Sequence, residues 1–361
     1  MKKFTIAVMP GDGIGLEVVP PCFQLVRDAA EKVGGFDVEG IDIEAGAGLF
    51  LRTGEEFPEE SFQAAANADA ILLGAMGLPS VRHKDGREIA PQLVLRERLD
   101  LYAGVRPVKF FKGIPPVLAN PHFSKTDFVL IRESTEGLFK FRTQGIIEDD
   151  IAREILQLSR EGCARVYDFS FKLARKRKAE GHQGELTLVD KANVFRSFKW
   201  ARNIFDERAK DFPDVKTSYC YVDAMAMNMV KCPWKYDVMV MENQFGDILS
   251  DLGAGIMGGL GMAPSGDIGD DHAVFQPCHG SAPDIMGQDK ANPIATFLSG
   301  ALMLDWLADR HQCPEAARAA SLIENAVENV LASGKVMSYE FGGTSGTLAI
   351  TDAVRNELAV L

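Results

Sequence analysis

The sequence predicts an α/β protein with two domains, and three observations support this prediction. Apolar segments of strand length alternate with segments of helical periodicity through the first half of the chain. The 361 residues exceed what one ordinary hydrophobic core organises. Polar residues follow directly after several apolar segments, and the carboxyl ends of strands are where α/β proteins usually bind ligands.

The first elements alternate between strand and helix. Each predicted strand is a short apolar or alternating run, and the first helical pattern stops at Gly34 and Gly35. In order, the segments are a strand at 5–9, a helix at 18–29, a strand at 38–45, a helix at 59–66 and a strand at 69–74. Because strands separated by helices usually pair in parallel, these elements predict layered α/β architecture.

The second half continues with the same kinds of element. The predicted segments are strands at 129–131, 186–189 and 238–241, helices at 151–178, 295–307 and 316–331, and a close-packed, glycine-rich crossover at 253–269. The basic run 175–178 could form a nucleic-acid patch. A solvated helix end before Gly181 is the favoured interpretation, because cations there complement the helix dipole.

The charge balance limits the partners. The chain has 51 acidic and 39 basic residues and a formal net charge of −12, which argues against nucleic acid or an anionic membrane surface as the main partner. No apolar run reaches the length of a membrane span. The six cysteines form no regular framework, so we expect free thiols and a cytoplasmic protein.

The turn that contains Gly11, Gly13 and Gly15 follows a strand and precedes a helix, so it could cradle a phosphate group. Its spacing differs from that of the dinucleotide-binding fingerprint, which has two residues before the third glycine. The sequence also lacks an acidic residue at the expected end of the second strand. A tight strand–helix turn is therefore favoured over a standard Rossmann nucleotide site.

Three aspartates form the strongest chemical signal. Asp247 and Asp251 are four residues apart and share a face if the segment is helical. Two carboxylates so close repel each other unless a cation lies between them, and Asp223 could supply a third oxygen ligand. A purely carboxylate set suits Mg²⁺ or Mn²⁺. The alternative is a solvated helix face.

Basic residues near strand ends form the next signals. Lys191 directly follows a predicted strand and could act as a general base if its pKa is lowered, although it could equally be a surface lysine. Arg96, Arg106 and Arg132, if brought together, would bind two carboxylates through bidentate pairs. Surface ion pairs are the alternative for each arginine taken alone.

Together these motifs resemble the isocitrate/isopropylmalate dehydrogenase family of metal-dependent β-decarboxylating dehydrogenases. The resemblance extends over essentially the whole chain, and the motifs occur in family order. They are PGDGIG at 10–15, the segment from Arg96 to Arg106-Pro107, Arg132-Glu133, DKAN at 190–193, ENQFGDILSD at 242–251 and HGSAPDI at 279–285.

The resemblance implies a two-domain fold with a large mixed sheet that is not a standard Rossmann fold. One domain, which binds the nucleotide, would combine residues 1–104 and 258–361. Residues 105–257 would form the middle domain, which carries the metal ligands and the dimer interface. It further implies a homodimer with shared active sites, in which Lys191 and Asp223 come from the partner chain.

The resemblance also implies roles for individual residues. Arg96, Arg106 and Arg132 would clamp the substrate carboxylates, and Asp223, Asp247 and Asp251 would bind Mg²⁺ or Mn²⁺. Lys191 would be the catalytic lysine, with Asp223 beside it. The cofactor-binding residues would be Ile14, His279, Gly280, Ser281, Ala282, Pro283, Asp284, Ile285 and Asn292. Asp284 favours NAD, because its carboxylate would repel the 2′-phosphate of NADP.

The implied reaction is oxidation of a (2R)-2-hydroxy dicarboxylic acid of the 3-substituted malate class, with β-decarboxylation, as in 3-isopropylmalate dehydrogenases.

Three positions depart from the family pattern. Phe139 replaces a tyrosine and cannot donate a proton. Gln92 stands where isopropylmalate-type relatives have an apolar side chain, which suggests a more polar group at C3, as in tartrate, malate or isocitrate. Gln276 stands where relatives often have glutamate. Because some regulatory relatives are similar at Phe139, a non-catalytic regulatory subunit is the alternative of a different class.

Overall fold

A ten-stranded mixed sheet forms the centre of the molecule, in a computed structural model that describes residues 2–361. The strands are β1 (Lys2–Gly11), β2 (Phe36–Asp42), β3 (Ala70–Ala75), β4 (Ala103–Lys109), β5 (Asp127–Glu133), β6 (Ile146–Glu148), β7 (Ile151–Arg153), β8 (Glu185–Asp190), β9 (Lys216–Tyr221), β10 (Val238–Met241), β11 (Pro264–Ile268) and β12 (Ala273–Pro277). β6 and β7 lie outside the large sheet and pair with each other as an exposed hairpin.

Helices connect most of the strands. They are α1 (Gly15–Val33), α2 (Ala47–Thr53), α3 (Glu59–Ala66), α4 (Pro91–Arg98), α5 (Arg160–Ala179), α6 (Arg196–Ala209), α7 (Val222–Lys231), α8 (Asn243–Met257), α9 (Ile294–His311), α10 (Pro314–Ser333) and α11 (Thr347–Val360). Short 3₁₀ helices lie at Pro121–Lys125, Pro233–Lys235, Leu260–Met262 and Tyr339–Phe341. No helix within residues 2–361 is long and apolar enough to cross a membrane.

The strand order of the large sheet is β2-β1-β3-β12-β11-β4-β5-β10-β8-β9. Pairing is parallel among the first four strands and again from β5 to β9, whereas β11 and β4 pair antiparallel with their neighbours. The prediction of a large mixed sheet is therefore confirmed. β4 runs from Ala103 to Lys109, so the predicted domain boundary at 104/105 falls inside a strand of one continuous sheet. The division into domains stays a prediction.

Alternation along β1 explains how the sheet is covered on both faces. Ile6 and Val8 are buried in the main apolar cluster, which also contains the inner side of α1. Ala7 and Met9 belong to a second cluster that includes residues of α3 and α4. Side chains of a strand point alternately to opposite faces, so one strand contributes to two layers of the core.

Several predicted elements are reproduced, and others are wrong. The helix at 59–66 and the strand at 238–241 agree with α3 and β10. The helix predicted at 151–178 begins only at Arg160, because the Ser159 hydroxyl caps it by accepting a hydrogen bond from the Gly162 N–H at 2.9 Å. Of the apolar residues before Ser159 that imitate helical periodicity, Ile151 lies in β7, whereas Ile155 and Leu158 lie between β7 and α5.

Two further expectations are corrected. The segment 253–269 is not a single crossover, since α8 continues to Met257 and β11 begins at Pro264. The helix α11 is an addition, since the sequence analysis predicts no element at 347–360. The basic run 175–178 is not simply solvated, because Arg177 is largely buried and bonds Asp127 at 2.8 Å and Asp237 at 2.5 Å. All six cysteines are free thiols, as predicted.

Candidate active site

A cavity of about 450 Å³ lies where β4, β5, α4 and α8 meet, and it gathers most of the predicted site residues. The arginines reach it from three elements: Arg96 from α4, Arg106 from β4 and Arg132 from the end of β5. All three are buried. The predicted residues that line the cavity are Gln92, Arg96, Arg106, Arg132, Phe139, Asp247, Asp251, His279 and Gly280.

Arg132 is the most constrained of the three arginines. Its Nε and Nη2 atoms donate to the Asn243 side-chain oxygen at 2.9 and 2.7 Å, and its Nη1 pairs with Asp247. A Cβ atom at Gly246 would lie 2.6 Å from the Arg132 Cβ, so the glycine lets α8 pack closely against this side chain. Burial, followed by repulsion from Arg96, lowers the Arg132 pKa to about 10.

Phe139 lies beside the same guanidinium group, whose central carbon is 5.0 Å from the centre of the ring. A contact at this distance is a cation–π interaction, and it adds no hydrogen-bond donor to the cavity. The site therefore has an aromatic face at the position where the family resemblance implies a hydroxyl group.

Asp247 and Asp251 lie one turn apart on α8, and both face the cavity. α8 begins with Glu242 as its N-cap, whose carboxylate accepts from the Phe245 N–H at 3.3 Å. Burial, together with the negative charge of Asp247, raises the Asp251 pKa. Two carboxylates held this close on one helix face are a suitable pair of ligands for a hard cation.

Asp223 and Lys191 lie away from this cavity and pair with each other. The Asp223 side chain is 68% exposed, and its pKa is lowered mainly by the hydrogen bond from Lys191. Within residues 2–361 of one chain, no three histidine, cysteine, aspartate or glutamate side chains come together as a metal site. One chain thus brings two of the three predicted ligands together and leaves the third on an exposed surface.

The predicted cofactor residues form a loop that is attached to the glycine-rich turn. The Ile14 N–H donates to the Ser281 carbonyl at 2.8 Å, and the Ser281 hydroxyl donates to the Gly77 carbonyl at 2.5 Å. Gly13 has a φ of +58°, and a Cβ atom there would lie 1.9 Å from the Ser281 carbonyl oxygen. The glycine is therefore required for this close approach.

The rest of the loop combines buried and exposed groups. Asn292 is buried and donates to Glu340 at 3.0 Å, whereas Pro283 and Asp284 are exposed. Burial lowers the His279 pKa, so its imidazole is neutral near pH 7. Ala282 and Ile285 are partly buried between these groups.

The glycine-rich turn itself has its polar groups satisfied from within the protein. The backbone N–H groups of residues 12, 14, 15 and 16 donate to backbone carbonyls. The Asp12 carboxylate accepts from the N–H groups of Ala47, Gly48 and Gly77, each at 2.8 Å. A structural turn explains these contacts better than a phosphate cradle does.

Sequence reasoning missed two residues that organise the arginines. Asp267 on β11 is 2% exposed and accepts from Arg96 at 3.0 Å and from Arg106 at 3.4 Å. Asn243 fixes Arg132, as described above. A carboxylate inside a buried strand is a signal that could have identified Asp267, whereas the Asn243 contact joins segments 111 residues apart.

Four polar atoms around the cavity are buried without a hydrogen-bond partner among residues 2–361. They are Gln92 Oε1, Arg96 Nε, Arg106 Nη1 and His279 Nε2. Buried polar groups in proteins are normally paired, because an unmade hydrogen bond costs about 1–3 kcal/mol. The guanidinium groups of Arg96 and Arg106 favour an anionic ligand, whereas the Gln92 amide oxygen can only accept a hydrogen bond.

Comparison with known proteins identifies the family. The family model described as isocitrate/isopropylmalate dehydrogenase matches residues 5–355. The chain belongs to this family. It is 40% identical over 352 residues to the 3-isopropylmalate/3-methylmalate dehydrogenase of Methanocaldococcus jannaschii, with 97% of each chain covered. It is 38% identical to the 3-isopropylmalate dehydrogenase of Aquifex aeolicus, with 99% of this chain and 98% of the relative covered.

Solved structures agree with the family assignment. The isocitrate dehydrogenase from Methylococcus capsulatus superposes with a TM-score of 0.84 at 31% identity, with 99% of each chain covered. A β-decarboxylating dehydrogenase from Thermococcus kodakarensis, in its apo form, gives a TM-score of 0.80 at 33% identity, with 99% of this chain and 96% of that chain covered. The predicted resemblance and fold class are confirmed.

Family membership sets the general chemistry. The chain is an oxidoreductase that acts on a CH–OH group, of the decarboxylating hydroxy-acid dehydrogenase kind. Members of the family act on small hydroxy acids with two or more carboxyl groups, depend in general on Mg²⁺ or Mn²⁺ and in general use NAD.

Proposed function

We propose that this chain oxidises a (2R)-2-hydroxy dicarboxylic acid of the 3-substituted malate class with NAD and Mg²⁺ or Mn²⁺, in the manner of a 3-isopropylmalate dehydrogenase. One observation carries the proposal: three buried arginines face the paired carboxylates Asp247 and Asp251 across a single cavity. Such a cavity can hold a dianion on one side and a divalent cation on the other.

The arginines would bind the two substrate carboxylates. Arg96 and Arg106 both line the cavity, and a carboxylate bound there could accept from their guanidinium groups. Arg132 is held in place by Asn243, so it would meet the substrate in a fixed orientation. Fixing these groups before binding lowers the entropic cost of orienting the substrate.

Asp247 and Asp251 would hold the cation, together with Asp223 of a second copy of the chain. The donor set is made only of carboxylate oxygens, which suits Mg²⁺ or Mn²⁺. The raised pKa of Asp251 fits this role, because a bound cation would favour the ionised form that burial disfavours. When bound, such a cation supplies Lewis-acid chemistry at the C2 oxygen of the substrate and lowers the pKa of its hydroxyl group.

Lys191 of the second copy would accept or relay the proton of the C2 hydroxyl, and NAD, when bound, would supply the hydride acceptor for C2. Loss of CO₂ from the oxidised acid then requires a proton at C3. Phe139 cannot supply this proton, so Lys140 and water are the candidate donors.

The loop that contains residues 279–285, together with Ile14 and Asn292, would bind the adenosine half of the cofactor. The Asp284 carboxylate is exposed beside this loop, where it could accept hydrogen bonds from ribose hydroxyls. A 2′-phosphate at the same place would meet a like charge, which supports NAD over NADP.

A homodimer would complete the site. On α7, Asp223 lies at i, with the exposed Met227 at i+4 and Val230 at i+7, so all three share a helix face. Ile248 of α8 is 61% exposed between the two cavity aspartates in sequence. A second copy packed on this apolar face would bury Asp223 and Lys191 close to a cavity. The free thiols support a cytoplasmic location.

Gln92 supports a second candidate substrate class. It lies one turn before Arg96 on α4, and its amide oxygen is buried without a partner in the described part of the chain. An isopropyl group there would leave the amide unpaired, at a cost of about 1–3 kcal/mol. A hydroxyl group at C3, as in tartrate, would pair with it. Phe139 likewise motivates the regulatory-subunit alternative, against which the assembled arginine clamp argues.

One assay tests these proposals. The purified chain is incubated with NAD, Mn²⁺ and a panel of C3-substituted (2R)-malates, and both NADH and CO₂ are measured. The C3 groups are isopropyl, methyl and hydroxyl, which give diacids, and carboxymethyl, which gives a triacid. We expect Mn²⁺-dependent NADH formation, with chelator as the control. No NADH from any acid would contradict the dehydrogenase proposal and favour the regulatory subunit. CO₂ well below one per NADH would show that Phe139 limits decarboxylation.

A further inference from the structure

Asp267 occupies a position that the family roles above do not assign. The register of the sheet places Asp267, Gly104 and Arg132 in one row across β11, β4 and β5. Side chains in one row of neighbouring strands point to the same face. A Cβ atom at Gly104 would lie 3.3 Å from the Asp267 Oδ1, so the glycine between them leaves room for the carboxylate. Asp267 therefore lies directly behind the arginine clamp.

The Asp267 carboxylate occupies one end of two guanidinium groups. Its Oδ2 accepts from Arg96 Nη2 at 3.0 Å and from Gln276 Nε2 at 3.2 Å, and its Oδ1 accepts from Arg106 Nη2 at 3.4 Å. Burial alone would raise the Asp267 pKa, but the two guanidinium groups outweigh it and hold the pKa below its usual value. The carboxylate is therefore ionised in the folded protein.

Arg96 and Arg106 line the cavity, and each keeps N–H groups that Asp267 does not hold. Arg96 Nε and Arg106 Nη1 have no partner among residues 2–361, while their other ends are held by Asp267. Three arginines and one buried aspartate sum to a charge of +2, when Asp247, the ion-pair partner of Arg132, is counted with the proposed cation site. Among the described lining residues, the only other basic side chain is His279, which is neutral near pH 7.

We propose that Asp267 is a specificity-determining residue that sets the charge of the bound acid, so that the clamp accepts a dicarboxylate and rejects a tricarboxylate. Two carboxylates neutralise the clamp, whereas a third would be desolvated without a cation opposite it. It would also share the cavity with Glu88, a further lining carboxylate. The inference rests on the proposed function, because it assumes that the arginines bind the carboxylates of the substrate.

Non-reacting acids test the role directly. We would measure by calorimetry the Kd of succinate and of propane-1,2,3-tricarboxylate for the full chain in the presence of Mg²⁺. The wild type should bind succinate more tightly. In Asp267→Asn, which has the same shape without the charge, the ratio of the tricarboxylate Kd to the succinate Kd should fall about tenfold. A ratio unchanged by the substitution, or a wild type that binds both acids equally, would overturn the proposal.

A second variant protects the test against a merely structural effect. In the double variant Asp267→Asn/Gln276→Glu, the negative charge moves to a side chain that already contacts Asp267 at 3.2 Å. This exchange keeps the hydrogen bond between the two positions and should restore the wild-type ratio. If the double variant folds, with unchanged circular dichroism, and keeps the ratio of the single variant, charge is not the determinant and the proposal is wrong.

The same measurements separate this inference from the proposed function. A shifted Kd ratio without NADH formation from any diacid would support the role of Asp267 and contradict the dehydrogenase proposal. An active dehydrogenase whose Kd ratio is insensitive to Asp267→Asn would support the proposed function and contradict only the charge-setting role.

Discussion

The arginine cavity and the Lys191–Asp223 pair differ in how much of their geometry one chain supplies. In the cavity, the Arg106 side chain is 8% exposed and its contacts come from strands of the central sheet. Asp223, by contrast, is 68% exposed at the start of α7. The cavity is organised by packing within the chain, whereas Asp223 shares a helix face with Met227 and Val230, which are 52% and 48% exposed.

This difference indicates that the cavity and the Lys191–Asp223 pair have separate roles. Groups that bind carboxylates must be desolvated and fixed in orientation, which the large sheet achieves at the antiparallel strands β11 and β4. Groups that join the site only on assembly can remain solvated in the single chain. The comparison therefore predicts that substitutions in the cavity act inside one subunit, and that substitutions at Asp223 act on the site of the other.

The largest expected effect is at Asp247. Asp247→Asn removes a charged oxygen from the proposed cation site and the ion-pair partner of Arg132. We expect kcat/KM with Mn²⁺ to fall about 10³-fold. Asp271→Asn is the matched control, because the Asp271 side chain is exposed and forms an ion pair with Arg310 at the surface. A variant at 247 as fast as the control would remove Asp247 from the ligand set.

Subunit mixing tests the comparison most directly. Asp223→Asn and Asp247→Asn should each be inactive alone. If sites are shared, a mixed dimer has one intact site, and statistical mixing should restore about a quarter of the wild-type activity. The control is a mixture of Asp247→Asn with Asp251→Asn, which affects the same side of the site and should restore none by this route. Equal recovery in both mixtures would contradict a site in which Asp223 of one subunit joins Asp247 and Asp251 of the other.

Much of the cavity could be predicted from the sequence because its signals are local. The spacing of Asp247 and Asp251 places both on one helix face, and the strand that ends at Arg132 predicts a side chain at the edge of the sheet. The contact between Arg96 and Asp267, in contrast, joins residues 171 positions apart. It depends on β11 lying beside β4, an order of strands that no local pattern determines. The short hairpin before α5 was missed because Ile151, Ile155 and Leu158 recur at helical spacing across β7 and the segment that follows it.

A tenfold effect is expected at Gln92. Gln92→Leu replaces the unpaired amide by an apolar side chain of similar size next to Arg96. The ratio of kcat/KM for the isopropyl-substituted acid to that for the hydroxyl-substituted acid should rise about tenfold. Leu93→Met, at the next lining position, is the control and should leave the ratio within about twofold. A ratio that stays constant in Gln92→Leu would show that the side group of the substrate binds elsewhere.

The smallest effect concerns the exposed surface around Asp223. Met227 is 52% exposed on the same helix face, so Met227→Ser should weaken self-association about fivefold, as expected for one truncated apolar contact at an interface. Leu51→Ser is the matched control, because Leu51 is 66% exposed on α2, far along the chain from this face. Sedimentation over a range of concentrations measures both dissociation constants. Because Met227 does not line the arginine cavity, succinate binding at saturating dimer concentration should stay unchanged in Met227→Ser. If Leu51→Ser weakens association while Met227→Ser does not, the α7 face that carries Asp223 and Met227 is not the dimer interface. Asp223 would then have to reach the site in another way.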